Sequence, residues 1–153
     1  MSTVLVDHRA LAERFAAAMN NRSRAEMAAL LTEDFVTEWP QSGERVRGFD
    51  NFWATIENYP RAGSAQMGND ISTLRTQPAD GLKLVAPSFV FVTVEGGGNS
   101  GAFTMRVRYP DGLRWWVVTL YHLRDGRMAH STTYFAPEFP APAWRAQYVE
   151  PMG

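Results

Sequence analysis

The chain has 153 residues, of which 45% are hydrophobic and 20% charged, and its formal net charge is -1. This length and balance fit a single domain, 1–153, large enough to bury a core without metal or disulfide cross-links. The near-zero charge gives no field to attract nucleic acid, and the absence of cysteine excludes disulfides, a thiol nucleophile and thiolate metal sites.

The N-terminal segment, MSTVLVDHRALAERF, does not combine a charged start with a long apolar run. No stretch of the sequence approaches the roughly 18 apolar residues that a membrane span needs. We therefore expect a cytoplasmic protein that binds neither membranes nor nucleic acid.

The first third of the chain predicts amphipathic helices. Asp7 is a plausible N-cap for a helix to about Asn21, with one apolar face. Ser23 and Glu26 form a capping-box pattern that opens a short second helix. The members of the first apolar face are Leu11, Phe15, Ala18 and Met19.

A short strand and a third helix follow. The segment DFVTEW predicts a strand that Pro40 stops, and a helix is predicted after Gly48. The helical spacing of its apolar residues gives it a heavily aromatic face, which should pack deeply against a sheet. That face consists of Phe49, Phe52, Trp53 and Ile56.

From about residue 66 the pattern becomes strand-like, in segments near 66–77, 83–95, 102–109, 113–123 and 127–135. The short, turn-rich links between them allow only antiparallel neighbours. Helices first and a meander afterwards predict an α+β fold, with the three N-terminal helices packed on one side of a curved antiparallel sheet.

The last two turns, Pro-Asp-Gly and Arg-Asp-Gly, suit three-residue loops, which would pair Tyr109 with Leu113 and Leu123 with Arg127. One sheet face is then apolar with a hydroxyl patch, and the other mixes arginines with apolar residues and includes Met128. A two-residue last turn would instead exchange the faces of the final strand. The hydroxyl patch consists of Thr119, Tyr121, Ser131 and Thr133.

The chain resembles the SnoaL-like members of the nuclear transport factor 2-like superfamily. The resemblance is carried by FAAAMNNRSRAEMAALLTEDFVTEWPQSGERVRGFDNF and LRDGRMAHSTTYFAPEFPAPAWR, together with the order of elements. It implies a cone-shaped barrel with a pocket between the concave sheet face and the helices. It also implies a homodimer through the outer sheet face, which would explain the apolar residues there.

The catalytic acids known from this superfamily are not found at the matching positions. Phe15, Thr119 and Trp39 stand where the resemblance to ketosteroid isomerases would place a Tyr, an Asp and the base. Thr133 stands where polyketide cyclases and limonene-epoxide hydrolases have an acid. None of the four can replace the group in question. The resemblance therefore implies the fold but none of these three mechanisms.

The hydroxyl patch can orient a carbonyl or hydroxyl ligand without ionising, and Tyr121 is its central member. Aromatic side chains could form the wall of such a pocket, or could simply fill the core. We take as candidate ligand-binding residues Phe15, Trp39, Trp53, Trp115, Thr119, Ser131 and Thr133.

Histidines are the remaining candidates for proton transfer. His8 is expected to be solvated, and the three-residue register places His122 and His130 on the outer face. The two-residue alternative would bring His130 to Tyr121 as a catalytic His/Tyr pair. Glu38 is the carboxylate next to the expected pocket mouth, although strand parity points it away from Trp39.

The remaining patterns predict no cofactor and no metal site. Metal-ligand spacing is not evident, and glycines 96–101 form a flexible turn without the following helix of a phosphate site. The proline-rich tail should pack along the barrel through Phe135, Phe139 and Trp144. We expect a protein with a pocket for a small hydrophobic molecule. It would be either a cofactor-free lyase, isomerase or cyclase for a carbonyl or polyketide-like compound, or a non-catalytic dimeric binding module.

Overall fold

A computed structural model describes residues 5–59, 88–108 and 113–152. The strand predicted near 66–77 lies outside these residues, as do Tyr109 and the turn that follows it. Within them, each helix is too short or too polar to span a membrane.

The three predicted helices are confirmed, and two of them begin at the predicted caps. Helix α1 spans His8–Asn21, and the side chain of Asp7 accepts a hydrogen bond from the Ala10 amide at 3.0 Å. Helix α2 spans Arg24–Leu30, and the Ser23 hydroxyl accepts from the Glu26 amide at 3.2 Å. These contacts satisfy amides that have no partner inside the helix. Helix α3 spans Phe49–Glu57 and follows Gly48, as predicted.

The described strands form one curved sheet whose order is β2-β1-β6-β5-β4-β3. Their bounds are β1 Leu31–Trp39, β2 Glu44–Arg47, β3 Ser88–Gly97, β4 Ser100–Arg108, β5 Arg114–Arg124 and β6 Arg127–Pro137. Neighbours are antiparallel except β1 and β6, which run parallel, so the sheet is not wholly antiparallel as predicted. Strand β2 was not predicted. The sheet is open over the described residues, since β2 and β3 are its edges.

The β4–β5 ladder has the predicted register, with Arg108 opposite Arg114. The predicted three-residue loop between β5 and β6 is wrong. Asp125 and Gly126 form a two-residue turn with positive φ angles of 53° and 77°, and Arg124 pairs with Arg127. This conformation suits the tight hairpins that follow the twist of the strands.

A β-bulge at Ala129 then restores the predicted faces. Leu123 pairs with Met128, but His122 pairs with His130, so Ala129 is an extra residue on β6. The short turn shifts the pairing by one residue and the bulge shifts it by a second, which returns later side chains to their predicted sides. Met128, between turn and bulge, changes face: it is fully buried rather than on the outer face. Arg127 pairs with Arg124 instead of the predicted Leu123 and is exposed.

The core lies between the helices and the inner face of the sheet, as the α+β prediction requires. Phe15 of α1 contacts Phe103 of β4, with 5.3 Å between ring centroids. Phe52 of α3 contacts Phe35 of β1 edge-on, also at 5.3 Å. Each buried aromatic ring removes a large apolar area from water, so these contacts fix the helices on one side of the sheet.

Phe135 packs against the core as predicted, but Phe139 and Trp144 of the tail do not. The tail contains a 3-10 helix, Ala143–Tyr148, and both Phe139 and Trp144 are 73% exposed. Its attachment is polar at the start, because Glu138 forms an ion pair with Arg106 and its amide donates to the Arg114 carbonyl at 3.0 Å. Glu138 thus attaches the start of the tail to the sheet, and Phe139 and Trp144 face solvent.

Candidate ligand-binding site

Five buried hydroxyl side chains form a strip across three neighbouring strands. Cross-strand pairing places Thr37 beside Ser131, Ser131 beside Tyr121, and Thr119 beside Thr133. All five are at most 8% exposed on the inner, otherwise apolar face. The structure thus brings together the four predicted hydroxyls and adds Thr37, which sequence analysis missed because its neighbour in the sheet is distant in sequence. We call Thr37, Thr119, Tyr121, Ser131 and Thr133 the hydroxyl strip.

Four of the five hydroxyls bond in pairs within the strip. Ser131 Oγ donates to Thr37 Oγ1 at 2.7 Å, and the Oγ1 atoms of Thr119 and Thr133 are 3.0 Å apart. A hydroxyl has one proton and two lone pairs, so each pair retains capacity for a further bond. Such groups can orient a polar ligand atom in an apolar environment without a buried charge.

Tyr121 is engaged by a residue that sequence analysis did not assign to the site. Its phenol oxygen lies 2.8 Å from His8 Nδ1, and His8 Nε2 lies 3.0 Å from the carbonyl oxygen of Gly98. The prediction that His8 is solvated is wrong, because the side chain is buried against the β3–β4 hairpin. Burial raises the pKa of Tyr121 above its ordinary value, so the phenol is neutral at physiological pH.

Two glycines of the β3–β4 hairpin make room for this pair. A Cβ on Gly101 would lie 2.3 Å from the Tyr121 hydroxyl oxygen, and a Cβ on Gly96 would lie 2.7 Å from His8 Cγ. Both distances are well inside van der Waals contact. Gly96 and Gly101 are paired strand residues, and only Gly98 and Asn99 form the turn, which is shorter than the turn predicted over 96–101. Glycine within a strand is a signal for a close approach of this kind, and could have indicated it.

The structure does not bring His130 to Tyr121. His130 lies on the outer face opposite His122, with 6.1 Å between the rings, and its Nε2 is 2.8 Å from Glu38 Oε1. Arg45 donates to the other oxygen of Glu38 at 3.0 Å. These two hydrogen bonds, that of His130 first, hold the pKa of Glu38 below its ordinary value. The catalytic His/Tyr pairing expected from a two-residue turn fails because of the bulge.

The four aromatic candidates divide into two groups. Phe15 and Trp53 are buried in the core, and Trp53 stacks on Phe49 while its Nε1 donates to Glu57 Oε1 at 2.8 Å. Trp39 and Trp115 are half-buried and lie at the end of the strip that is farther from Tyr121. Phe15 and Trp53 therefore fill the core.

The strip is buried throughout, and the inner face becomes half-buried beyond it, at the tryptophans. Tyr121 is 1% exposed, Thr119 4% and Thr133 8%, and beyond them Phe135 is half-buried and meets Trp39 edge-on at 6.2 Å. Trp115 follows on β5. We call Trp39, Trp115 and Phe135 the aromatic end of the strip. The inner face is thus more accessible to solvent at its aromatic end than along the strip.

Within the described residues, no three His, Asp or Glu side chains lie close enough together to hold a metal ion.

The helices, the curved sheet and the polar strip between them define a nuclear transport factor 2-like protein. Residues 12–131 match the SnoaL-like domain, and the chain belongs to that family. No curated protein matches the chain in sequence.

Solved structures share this fold. An NTF-2 like protein of unknown function from Burkholderia xenovorans LB400 is 25% identical, with a TM-score of 0.70 over 95% of this chain and 94% of that one. A candidate ketosteroid isomerase from Kribbella flavida is 23% identical, with a TM-score of 0.71 over 95% and 90%. An epoxide hydrolase of the LEH-like type from M. tuberculosis is 18% identical, with a TM-score of 0.53 over 82% and 80%.

Proposed function

We propose that this protein binds a small hydrophobic molecule between the helices and the inner face of the sheet. The molecule enters at the aromatic end and places a polar atom on the hydroxyl strip. The observation that carries this proposal is the strip itself: five buried hydroxyls across three strands in an apolar environment. A few polar groups on an apolar wall are the usual form of a ligand site.

As an enzyme, the protein would be a cofactor-free lyase, isomerase or cyclase that acts on a hydrophobic carbonyl or polyketide-like compound. Structures of the same fold are named for a ketosteroid isomerase, a polyketide cyclase and an epoxide hydrolase, which favours this range of chemistry. Catalysis would depend on positioning by Thr119, Ser131 and Thr133 and on a hydrogen bond between the ligand and the neutral phenol of Tyr121. His130, on the outer face, has no part in this proposal.

The second candidate is a non-catalytic, dimeric binding module of the cytoplasm. It is favoured by two observations: the strip contains no carboxylate, and the outer face exposes Leu120 by 45% and Tyr134 by 42%. Exposed apolar side chains on a sheet face are typical of an interface with another chain. In this case the homodimer forms through that face, and the strip binds a ligand without converting it.

The test is a thermal-shift screen with hydrophobic ketones, lactones, terpenoids and aromatic polyketides. A compound at one hundred times its Kd adds about 2.7 kcal/mol to the free energy of unfolding. The double variant Thr119→Val/Thr133→Val removes both partners of one hydroxyl pair at constant shape, so its stability should be nearly unchanged. The ligand shift should nevertheless fall.

The matched control is Thr132→Val, which lies on the outer face next to Thr133 in the same strand. It should retain the full ligand shift. Turnover of a bound compound, followed by its change in mass, separates the enzyme from the binding module. A flat response across the panel would contradict the proposed ligand site.

A further inference from the structure

The hydrogen bonds of His8 have a direction that its two partners determine. The Gly98 carbonyl oxygen can only accept, so the nitrogen that faces it, Nε2, carries the proton. A neutral imidazole has one donor and one acceptor nitrogen. Nδ1 is therefore the acceptor in neutral His8, and the group it faces at 2.8 Å is the phenol of Tyr121.

The phenol proton of Tyr121 is committed by this arrangement. Because Nδ1 has no proton, Tyr121 must be the donor in the bond between them. The phenol oxygen then has only lone pairs left for any other partner. Tyr121 differs in this respect from Thr119 and Thr133, whose shared bond can run in either direction.

The surroundings hold both side chains in this geometry. Gly96 and Gly101 allow the imidazole and the phenol to lie against the backbone of the hairpin, where a methyl group would collide with them. The Tyr121 ring also contacts Phe103, with 5.4 Å between centroids. A rotation that turned the phenol proton elsewhere would leave the buried Nδ1 without a donor, which is unfavourable.

We infer that His8 is a positioning residue that takes the Tyr121 phenol proton, so that Tyr121 presents a hydrogen-bond acceptor and the preferred ligand carries a hydroxyl or enol at this end of the strip. The inference rests on the proposed ligand site. It adds that the ligand group next to Tyr121 is a hydrogen-bond donor. A ketone oxygen is itself only an acceptor, so it can be bound by the threonine and serine hydroxyls but not by Tyr121.

The first measurement concerns the protein without ligand. Nitrogen-15 NMR of the histidine rings at pH about 8, above the ordinary imidazole pKa of about 6.5, reports the tautomer of His8. We expect the proton on Nε2, with an unprotonated Nδ1 signal that moves in Tyr121→Phe while the tautomer is unchanged. The spectrum of His8→Gln identifies the His8 signals. A proton on Nδ1 would overturn the inference even if ligands bind.

The second measurement compares alcohol and ketone partners of one skeleton, such as 1-tetralol with 1-tetralone and 2-tetralol with 2-tetralone. Wild-type protein should bind the hydroxyl compound about 2- to 10-fold more tightly, the range of one net hydrogen bond. Tyr121→Phe should abolish the preference, whereas His130→Gln, on the outer face, should keep it.

The outcomes separate the two proposals. A ketone preference in the wild-type protein would overturn the inference and leave the proposed function standing. Binding of neither compound type would overturn the proposed function and the ligand part of the inference together. The NMR result would then decide the hydrogen-bond direction on its own.

Discussion

Gly101 lies directly opposite Tyr121 in the β4–β5 ladder, and the phenol stands where a side chain of residue 101 would be. A Cβ there would be 2.4 Å from the Tyr121 Cζ atom. Gly101→Ala should therefore displace the ring from His8 and lower the free energy of unfolding by about 1–3 kcal/mol, as for other overpacked sites. Urea unfolding measures this change.

The matched control is Gly97→Ala in the same hairpin, where a Cβ meets nothing within 4 Å. It should have nearly wild-type stability. Equal stability of the two variants would mean that Tyr121 is not held against Gly101.

The Ser131–Thr37 bond predicts a coupled effect on stability. Ser131→Ala leaves the buried Thr37 hydroxyl without its 2.7 Å donor, which should cost about 1–3 kcal/mol. Thr37→Val should cost a similar amount. The double variant should cost less than the sum, by at least about 0.5 kcal/mol, because no orphaned partner remains. Additive costs in urea unfolding would contradict a direct bond, and Thr132→Val on the opposite face serves as the control.

Glu38 predicts a pH-dependent contribution to stability. Its pKa in the folded protein lies below the ordinary value of 4.5 because His130 and Arg45 donate to the carboxylate. The carboxylate thus stabilises the fold above the unfolded pKa, and this contribution is lost as pH falls through the lower, folded pKa. Glu38→Gln should be less stable than the wild type at pH 7, and the difference should shrink below pH 4.5.

Thermal unfolding of the two proteins across pH measures this trend. Glu33→Gln is the control, because Glu33 is an exposed carboxyl on the same strand. It should follow the wild type at each pH. A Glu38→Gln difference that stays constant in acid would rule out the depressed pKa as its cause.

The exposed apolar side chains of the outer sheet face predict that one charged substitution there changes the oligomeric state. If the homodimer forms there, Leu120→Glu should place a charge in its interface and yield monomers, because an unpaired buried charge is strongly unfavourable. Light scattering coupled to size exclusion measures the mass. Leu5→Glu, at an 88% exposed position near the N-terminus, should leave the mass unchanged. A wild-type monomer at micromolar concentration would contradict the proposed dimer.

Features with local causes could be predicted from the sequence. The N-caps at Asp7 and Ser23 depend on hydrogen bonds to residues three positions away, and both are present. The alternation of side chains along β5 likewise placed Thr119 and Tyr121 on the inner face, where both are buried. These features need no knowledge of distant parts of the chain.

Features that depend on distant contacts could not be predicted in the same way. The parallel pairing of β1 with β6 joins residues about 94 positions apart, as in the Ser131–Thr37 bond, and no local pattern encodes it. His8 has the same limitation, since its partner Tyr121 is 113 positions away. The bulge at Ala129 was also not predicted from the sequence, because the same residues would suit an uninterrupted ladder.

The bulge makes the last hairpin tolerant of shortening at one position. Ala129 has no cross-strand partner, so its removal would join Met128 to His130 while each keeps its present neighbour on β5. Removal of any residue between Ser131 and Phe135 would instead move the following side chains of β6 to the opposite face of the sheet. Deletion of Ala129 would therefore remove the bulge and straighten β6, and the side chains that face the helices would stay the same.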